Sequence, residues 1–450
     1  MRIRDPIHGV MTVSDEEKSV IDTPFFQRLR GVRQLGFGDM AFPGATHTRH
    51  AHSLGAMHVA SKLLDAVAAR QGLPDEVRQR FRCAVRLAVL CHDLGHMPLS
   101  HASERIAPAR SLLQLPDWLD RPSMDAKPSL VNEPVLSPPA LPSAPVDTQA
   151  SHEDFTARIL LDSSLTGTLR QVEEKVGVGP QALAGLIAGV EPPGGFPFHH
   201  QGVDWAPLLR ALVSGELDAD RMDYLLRDSF YTGVNYGRYD LEWIVQNLDA
   251  AIIDSKAYLA LSRTAAFAFE DFLLSRYHMF VSVYYHHTSV NFDHMLRRYY
   301  EEAPGEFQIP ADPENFLLCD DAALHVTLRG STNRWAQRIV TRRGFKLLLQ
   351  FTERDEGYEL GALTSELDAA GLEHFEVESR GVLSKYFDGG QGPKLFIVDT
   401  STGRLTEVVR YTPLYQRYAG AVQLSRVYVR PDQLEEGRSI LARVFGRSAP

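Results

Sequence analysis

Apolar residues recur at helical spacing through most of the first 300 positions of this chain. Apolar positions three and four apart over Ser53–Val67, and again over Val77–Leu94, predict two amphipathic helices. Ile21-Asp22-Thr23-Pro24 places a proline as helix starts do. A proline-dense stretch at 107–150 reads as an inserted surface loop. Helical periodicity then returns over Glu153–Leu161, Gln181–Leu186, Leu208–Ser214, Arg221–Ser229, Leu241–Leu248 and Thr264–Glu302, with Gly185–Pro197 as a connection. From about Phe307 the pattern alternates instead. Leu324–Leu328, Phe375–Glu378, Lys394–Val398 and Val422–Val429 read as strands, and Leu434–Val444 as a closing helix. The expected fold is mainly α: a helical domain over 1–305 carrying the insertion, and a smaller α+β lobe over 306–450. Neither an internal repeat nor a heptad pattern is present.

Composition narrows the class. The 450 residues are 44% hydrophobic and 23% charged, as in ordinary globular proteins. No apolar run approaches the length of a membrane span, and the first residues lack the apolar segment of a secretory signal. Cys83, Cys91 and Cys319 form no CxxC pair and read as small buried apolar groups in a reducing compartment. A cytoplasmic protein is expected. Its net charge of −10 argues against nucleic acid as the main partner but leaves room for a small polyanion on a local basic cluster. Many of the 17 histidines fall in Thr46–His101 and Tyr277–His294.

The densest chemistry lies in His92-Asp93-Leu94-Gly95-His96-Met97-Pro98-Leu99-Ser100-His101. Imidazole and carboxylate are ligands for first-row metals. Continuation of the helix would bring His96 to the face of His92, with Gly95 and Pro98 ending it. Upstream, His47-Thr48-Arg49-His50-Ala51-His52 adds three imidazoles. Downstream, Asp218–Asp228 carries four carboxylates and two arginines at helical spacing, interrupted by Tyr224, Leu225 and Leu226 as a buried stripe would be. A solvated charged face is the plain alternative for that run. His47 and His50 are read as surface or supporting positions. His199-His200 reads as loop, and His286-His287 as part of the helix that carries Tyr284.

His52, His92-Asp93 and Asp220 together resemble the H…HD…D signature of HD-domain metal-dependent phosphohydrolases. The chain is more similar still to one branch, the deoxynucleoside triphosphate triphosphohydrolases, whose vertebrate member carries a sterile-alpha-motif domain ahead of its HD domain. Asp5-Pro6-Ile7-His8-Gly9, Ile21–Arg30, Gln34-Leu35-Gly36, Phe42–His47 and His152-Glu153 carry that likeness, over roughly residues 1–300. The resemblance implies metal ligation by His52, His92, Asp93 and Asp220. It implies His96, His101, Glu104 and His152 as polar groups at the reacting phosphorus, with His101 backed by Glu104 as general acid. Arg49, Arg221 and Arg276 would hold the triphosphate. Gln34, Leu35, Tyr224, Asp228 and Tyr284 would form the deoxyribose pocket, with Tyr284 excluding a 2′-hydroxyl. Asp22, Gln27, Arg30, Arg342 and Lys346 match an activator-nucleotide site between subunits, which implies a homo-oligomer, dimer or tetramer. The competing reading is that Asp22, Gln27 and Arg30 brace the first helices. Glu242, Thr264 and Ala268 do not match the neighbouring effector site.

The implied activity is metal-dependent hydrolysis of deoxynucleoside triphosphates to deoxynucleoside and inorganic triphosphate, by metal-activated water attack at the α-phosphorus. The implied cofactor is one transition metal ion, Fe, Mn, Zn, Ni or Co, with Mg added at the phosphates. Two alternatives compete: an HD phosphohydrolase acting on a modified nucleotide, a monophosphate or a signalling nucleotide, and a nucleotide-sensing binding protein.

Overall fold

The computed structural model describes residues 1–119, 148–352, 355, 360–382, 394–412, 414 and 421–446. The middle of the expected insertion, 120–147, lies outside the described residues, as do 353–354, 356–359, 383–393, 413, 415–420 and 447–450.

Two long helices form the centre. Arg49–Arg70 buries most of its length, and Asp75–Cys91 packs along it with Phe81, Val85, Leu87 and Val89 turned inward. A third helix, Ala219–Thr232, crosses the first. Its start is set by Asp218, whose side chain accepts from the Arg221 amide. Gly55 permits this crossing, because a Cβ there would stand 2.0 Å from Asp223 Oδ1 and 2.1 Å from Arg227 Nη2. Helices His152–Leu161, Pro180–Ala188 and Ala206–Val213 complete the core around Leu87, Phe155, Leu183 and Leu209.

The structure is mainly α, with small sheets. An N-terminal hairpin pairs Arg2–Asp5 with Gly9–Thr12. Strand Lys256–Ser262 pairs antiparallel with Leu248–Ile253 and parallel with Leu395–Asp399, so one sheet crosses the 305/306 division. A three-stranded antiparallel sheet places Ala421–Val429 between Lys346–Thr352 and His374–Val382. Helices Leu360–Ala369 and Leu434–Phe445 join it in a separate apolar cluster.

Several local expectations need correction. Leu324–Leu328 is not a strand but part of the helix Asp321–Gly330. Leu324 and Leu328, four apart, are both fully buried, while Val326 between them is 68% exposed, so the period is that of a helix. Thr264–Glu302 is not one helix. It divides into Ala266–Met279, a π-helical turn Phe280–Tyr284, and His287–Glu302 capped by His286. Tyr284 ends the π turn, so His286-His287 stand beyond it, on the next element. His199-His200 form a short strand rather than loop. The helix before the HD pair stops at Cys91, not at Gly95 or Pro98; His92 is its C-cap, and His92–Gly95 form turns.

Candidate active site

Segments between Gln34 and Asp293 line one cavity of about 300 Å³. At one end stand the expected metal ligands His92, Asp93 and Asp220, with His52 beside them. His52 is fully buried near the start of its helix. Its Nδ1 lies 2.8 Å from Asp223 Oδ2, and its Nε2 lies 2.9 Å from Asp220 Oδ1 and 3.8 Å from Asp93 Oδ2. His92 turns its Nδ1 back to the Val89 carbonyl at 2.6 Å. This leaves His92 Nε2 at 3.2 Å from Asp93 Oδ1 and 3.5 Å from Asp220 Oδ1. The helix end after Cys91 thus serves both residues: adjacent side chains of a turn converge as those of a continuing helix would not.

The electrostatics describe a cation site. Burial lowers the pKa of His52, but the hydrogen bonds to Asp220 and Asp223 outweigh it and push the imidazole up to about 10. A proton there stands where a metal ion would: Nδ1 remains with Asp223 and Nε2 faces two carboxylates. Burial works against ionisation of Asp93, yet Arg49, at 2.7 Å, and the neighbouring imidazoles hold its carboxyl well below the usual range. Asp220 is likewise depressed, burial being outweighed by His52 and His92. His52, His92 and Asp93 offer ligand atoms all within 4.8 Å of one another, the donor set of a divalent transition ion.

A buried relay that the sequence reading left without a role lies behind this centre. Asp223, fully buried, meets His8 Nε2 at 2.6 Å and Arg227 at 2.8 and 2.9 Å, in addition to His52. Arg227 then reaches Asp5 at 2.9 Å. Asp5 and His8 belong to the N-terminal hairpin, so that element orients the candidate ligand His52 from more than 40 residues away in sequence. The signal was present in the i,i+4 pairing of Asp223 with Arg227.

Beside the metal ligands stands a second cluster. His96 Nε2 is 3.2 Å from Asp93 Oδ1, and its ring stacks on His152 at 3.9 Å. Glu104 Oε1 meets His152 Nδ1 at 2.6 Å and His101 Nδ1 at 3.0 Å. Burial, then Arg49 and His152, hold His96 well below the imidazole range, so it is neutral. Glu104 outweighs burial at His152 and raises it, while the two histidines depress Glu104 below the usual range. These four residues are also close enough to ligate a metal. His101 is presented by a loop in which Leu99 and Ser100 take left-handed φ of 53° and 58°. Asp321 accepts from the Leu99 amide at 2.7 Å, and Ser100 Oγ donates to the Arg33 carbonyl and accepts from Arg49.

The other end is a tyrosine-lined recess. Tyr284 donates to Asp228 at 2.9 Å and meets Tyr224 edge to face at 6.0 Å. Asp228 also faces His47 Nε2 at 2.7 Å, so His47 supports this recess and is no metal ligand. His50 instead packs on Phe26, where burial lowers it to about 4. Gln34, Leu35, Arg49 and Arg221 share the cavity wall, and Gln34 Oε1 is buried without a partner. Arg276 lies behind that wall, 3.7 Å from Glu216 and over the Phe280 ring. Asp22, Gln27, Arg30, Arg342 and Lys346 lie off the cavity. Asp22 caps the helix Asp15–Ile21 and pairs with Lys18; Arg30 donates to Gln27 and Gln27 to the Ile21 carbonyl; Arg342 donates to the Met40 carbonyl.

A family described as the HD domain matches residues 49–124, which hold His52, His92 and Asp93. Residues 49–124 of the chain carry an HD domain. A second family, the HD associated region, matches residues 240–367 of this HD-domain protein. Uncharacterized protein YwfO of Bacillus subtilis is 32% identical over 63% of the chain and 51% of its own length. Human deoxynucleoside triphosphate triphosphohydrolase SAMHD1 is 47% identical over 100 residues, 22% of the chain and 16% of that protein. The chain spans about half the length of YwfO and a smaller part of SAMHD1. A crystal structure of a hypothetical protein from Aquifex aeolicus superposes with a TM-score of 0.69 at 26% identity, over 98% of the chain and 99% of that structure. Among the described residues, no helix is long and apolar enough to cross a membrane.

Proposed function

We propose that this HD-domain protein hydrolyses deoxynucleoside triphosphates to deoxynucleoside and inorganic triphosphate. The observation that carries the reading is the sharing of one cavity by three parts: a metal-capable His/Asp set, a His–Glu–His proton-holding cluster, and a tyrosine–aspartate recess. His52, His92, Asp93 and Asp220 would hold a divalent ion, which would lower the pKa of water and draw charge from phosphate oxygens. The two-imidazole, two-carboxylate set suits Fe, Mn, Zn, Ni or Co, with Mg at the phosphates.

The side chains account for the rest. Arg49 and Arg221 meet the triphosphate oxygens from the cavity wall, and Arg276 supports them from behind it. His96 stands beside the α-phosphate with its single N–H engaged by Asp93. Water attacks the α-phosphorus, its oxygen forms the new P–O bond and one of its protons passes to solvent, and the bond to the 5′-oxygen breaks. His101, held by Glu104, gives its proton to the leaving 5′-oxygen. Asp228 and Gln34 bind the 3′-hydroxyl, and the Tyr284 ring closes the space beside C2′. The activator reading extends this to a homo-oligomer with a guanine nucleotide at Asp22, Gln27, Arg30, Arg342 and Lys346; light scattering with and without GTP tests that part.

Incubation of the metal-loaded protein with a panel of nucleotides, with products resolved by chromatography, tests the proposal. Inorganic triphosphate and deoxynucleoside are expected from deoxynucleotides alone. Release of monophosphate and pyrophosphate, or turnover confined to a signalling nucleotide, overturns it.

A further inference from the structure

The helix His287–Glu302 shows the cavity two polar side chains that have no role above, Ser289 and Asp293, one turn apart. Ser289 is buried, and its Oγ has no hydrogen-bond partner. Asp293 is partly accessible; burial is the influence that acts on its carboxyl, pushing it up to about 7. The other aspartates of the cavity wall are matched: Asp93 by Arg49, Asp218 by the Arg221 amide, Asp220 by His52, and Asp228 by His47 and Tyr284. Buried polar groups in native folds have partners. On the wall of a ligand cavity, a carboxyl and a hydroxyl that lack one are specificity groups for a ligand.

Their place in the fold says which part of the ligand they meet. The helix packs against Gly36–Met40 and Ser100–Ile106, the segments that follow Gln34 and contain His101. Ser289 follows Tyr284 by five residues. On the nucleotide reading proposed above, the 5′-oxygen lies at His101 and the sugar at Gln34 and Tyr284. The wall beyond both receives the base. We infer that Ser289 and Asp293 read the base and select guanine. The pairing edge of guanine sets two donors, N1–H and N2–H, side by side, next to the acceptor O6. In its ionised form, which prevails above about pH 7, where the binding test is run, the Asp293 carboxylate accepts from both donors, and a serine hydroxyl donates to O6. Adenine and cytosine set a ring lone pair beside a single amino donor, and thymine sets one donor between two carbonyls. Each turns a lone pair toward the carboxylate, and a site built for a donor pair rejects them.

The test measures equilibrium binding of dGTP, dATP, dCTP and dTTP to the metal-loaded full chain, alongside turnover of each. It compares the wild type with Asp293→Asn and Ser289→Ala. Asp293→Asn conserves shape at an unpaired position, and thermal melts of each variant confirm the fold. The wild type is expected to bind dGTP tightest. Asp293→Asn should compress that preference by roughly 10²-fold and Ser289→Ala by about tenfold. Equal binding of the four by the wild type, or an unchanged dGTP preference in Asp293→Asn, overturns the base assignment and leaves the hydrolysis reading standing. Guanine-selective binding without turnover does the reverse.

Discussion

Asp223 connects the proposed metal centre to the rest of the molecule, and its removal separates two effects. Asp223→Ala leaves the Arg227 guanidinium buried with Asp5 alone and frees the His52 ring. Breaking a buried pair from one side costs about 3–5 kcal/mol, which calorimetry should show as a lower melting temperature. Loss of the group that orients a metal-binding imidazole lowers metal affinity by roughly 10–100-fold, measurable by competition with a chelator. Unchanged metal affinity in a folded variant would remove Asp223 from the site. The Glu104 pair gives a pH signature. Glu104 is depressed, so its contribution is present above its unfolded value near 4.5 and lost as pH falls. His152 is raised, so its contribution is present below its unfolded value near 6.5 and lost as pH rises through the higher folded value. The difference in melting temperature between wild type and Glu104→Gln should therefore be greatest between pH 4.5 and 6.5 and shrink on both sides. At this scale the grouping of the candidate ligands His52, His92, Asp93 and Asp220 was legible, because a histidine–aspartate dipeptide among clustered histidines points to one site. Asp5 and His8 were not given a role, because nothing in a local pattern shows which distant ring they face.

Elements position these side chains through close approaches. Gly55 brings the helix of His52 against the helix of Asp220 and Asp223. Gly95 brings the turn after Asp93 against the helix of His152, since a Cβ there would lie 2.1 Å from the His152 carbonyl oxygen and 2.4 Å from the Thr156 amide. Gly55→Ala should push the two helices apart at a cost of about 1–3 kcal/mol, with a larger loss of metal affinity than a surface Gly177→Ala change. Equal metal affinity in both would show that the crossing tolerates the methyl group. A second coupling comes from the C-terminal side. Asp321 accepts from the amides of both Arg33 and Leu99, the two loops flanking His101 and Gln34. Asp321→Ala leaves both donors without their acceptor and should cost about 2–4 kcal/mol, read from denaturant midpoints. The helices with strong periodicity were legible in outline. The π turn at Phe280–Tyr284 was not: a single extra residue per turn leaves an apolar run looking continuous, while it re-aims Tyr284 at Asp228. Leu324–Leu328 misled for a similar reason, since five mixed residues fit either period until the burial of Leu324 and Leu328 separates them.

Across the whole molecule, the cavity is lined from Gln34 to Asp293, the N-terminal hairpin braces it through Asp223, and the C-terminal segment joins the sheet of Lys256–Ser262 through Leu395–Asp399. The chain order of the ligands was readable because each lies at a helix end or start. The contacts that hold those ends together were not, because they join residues hundreds of positions apart. On the proposed reading, water attacks the α-phosphorus and the 5′-oxygen leaves. Turnover of a deoxynucleoside triphosphate in ¹⁸O-labelled water, with mass analysis of both products, tests it most directly. The label should appear in the inorganic triphosphate, with the deoxynucleoside unlabelled. Label in the deoxynucleoside, or in a monophosphate released with pyrophosphate, would contradict it.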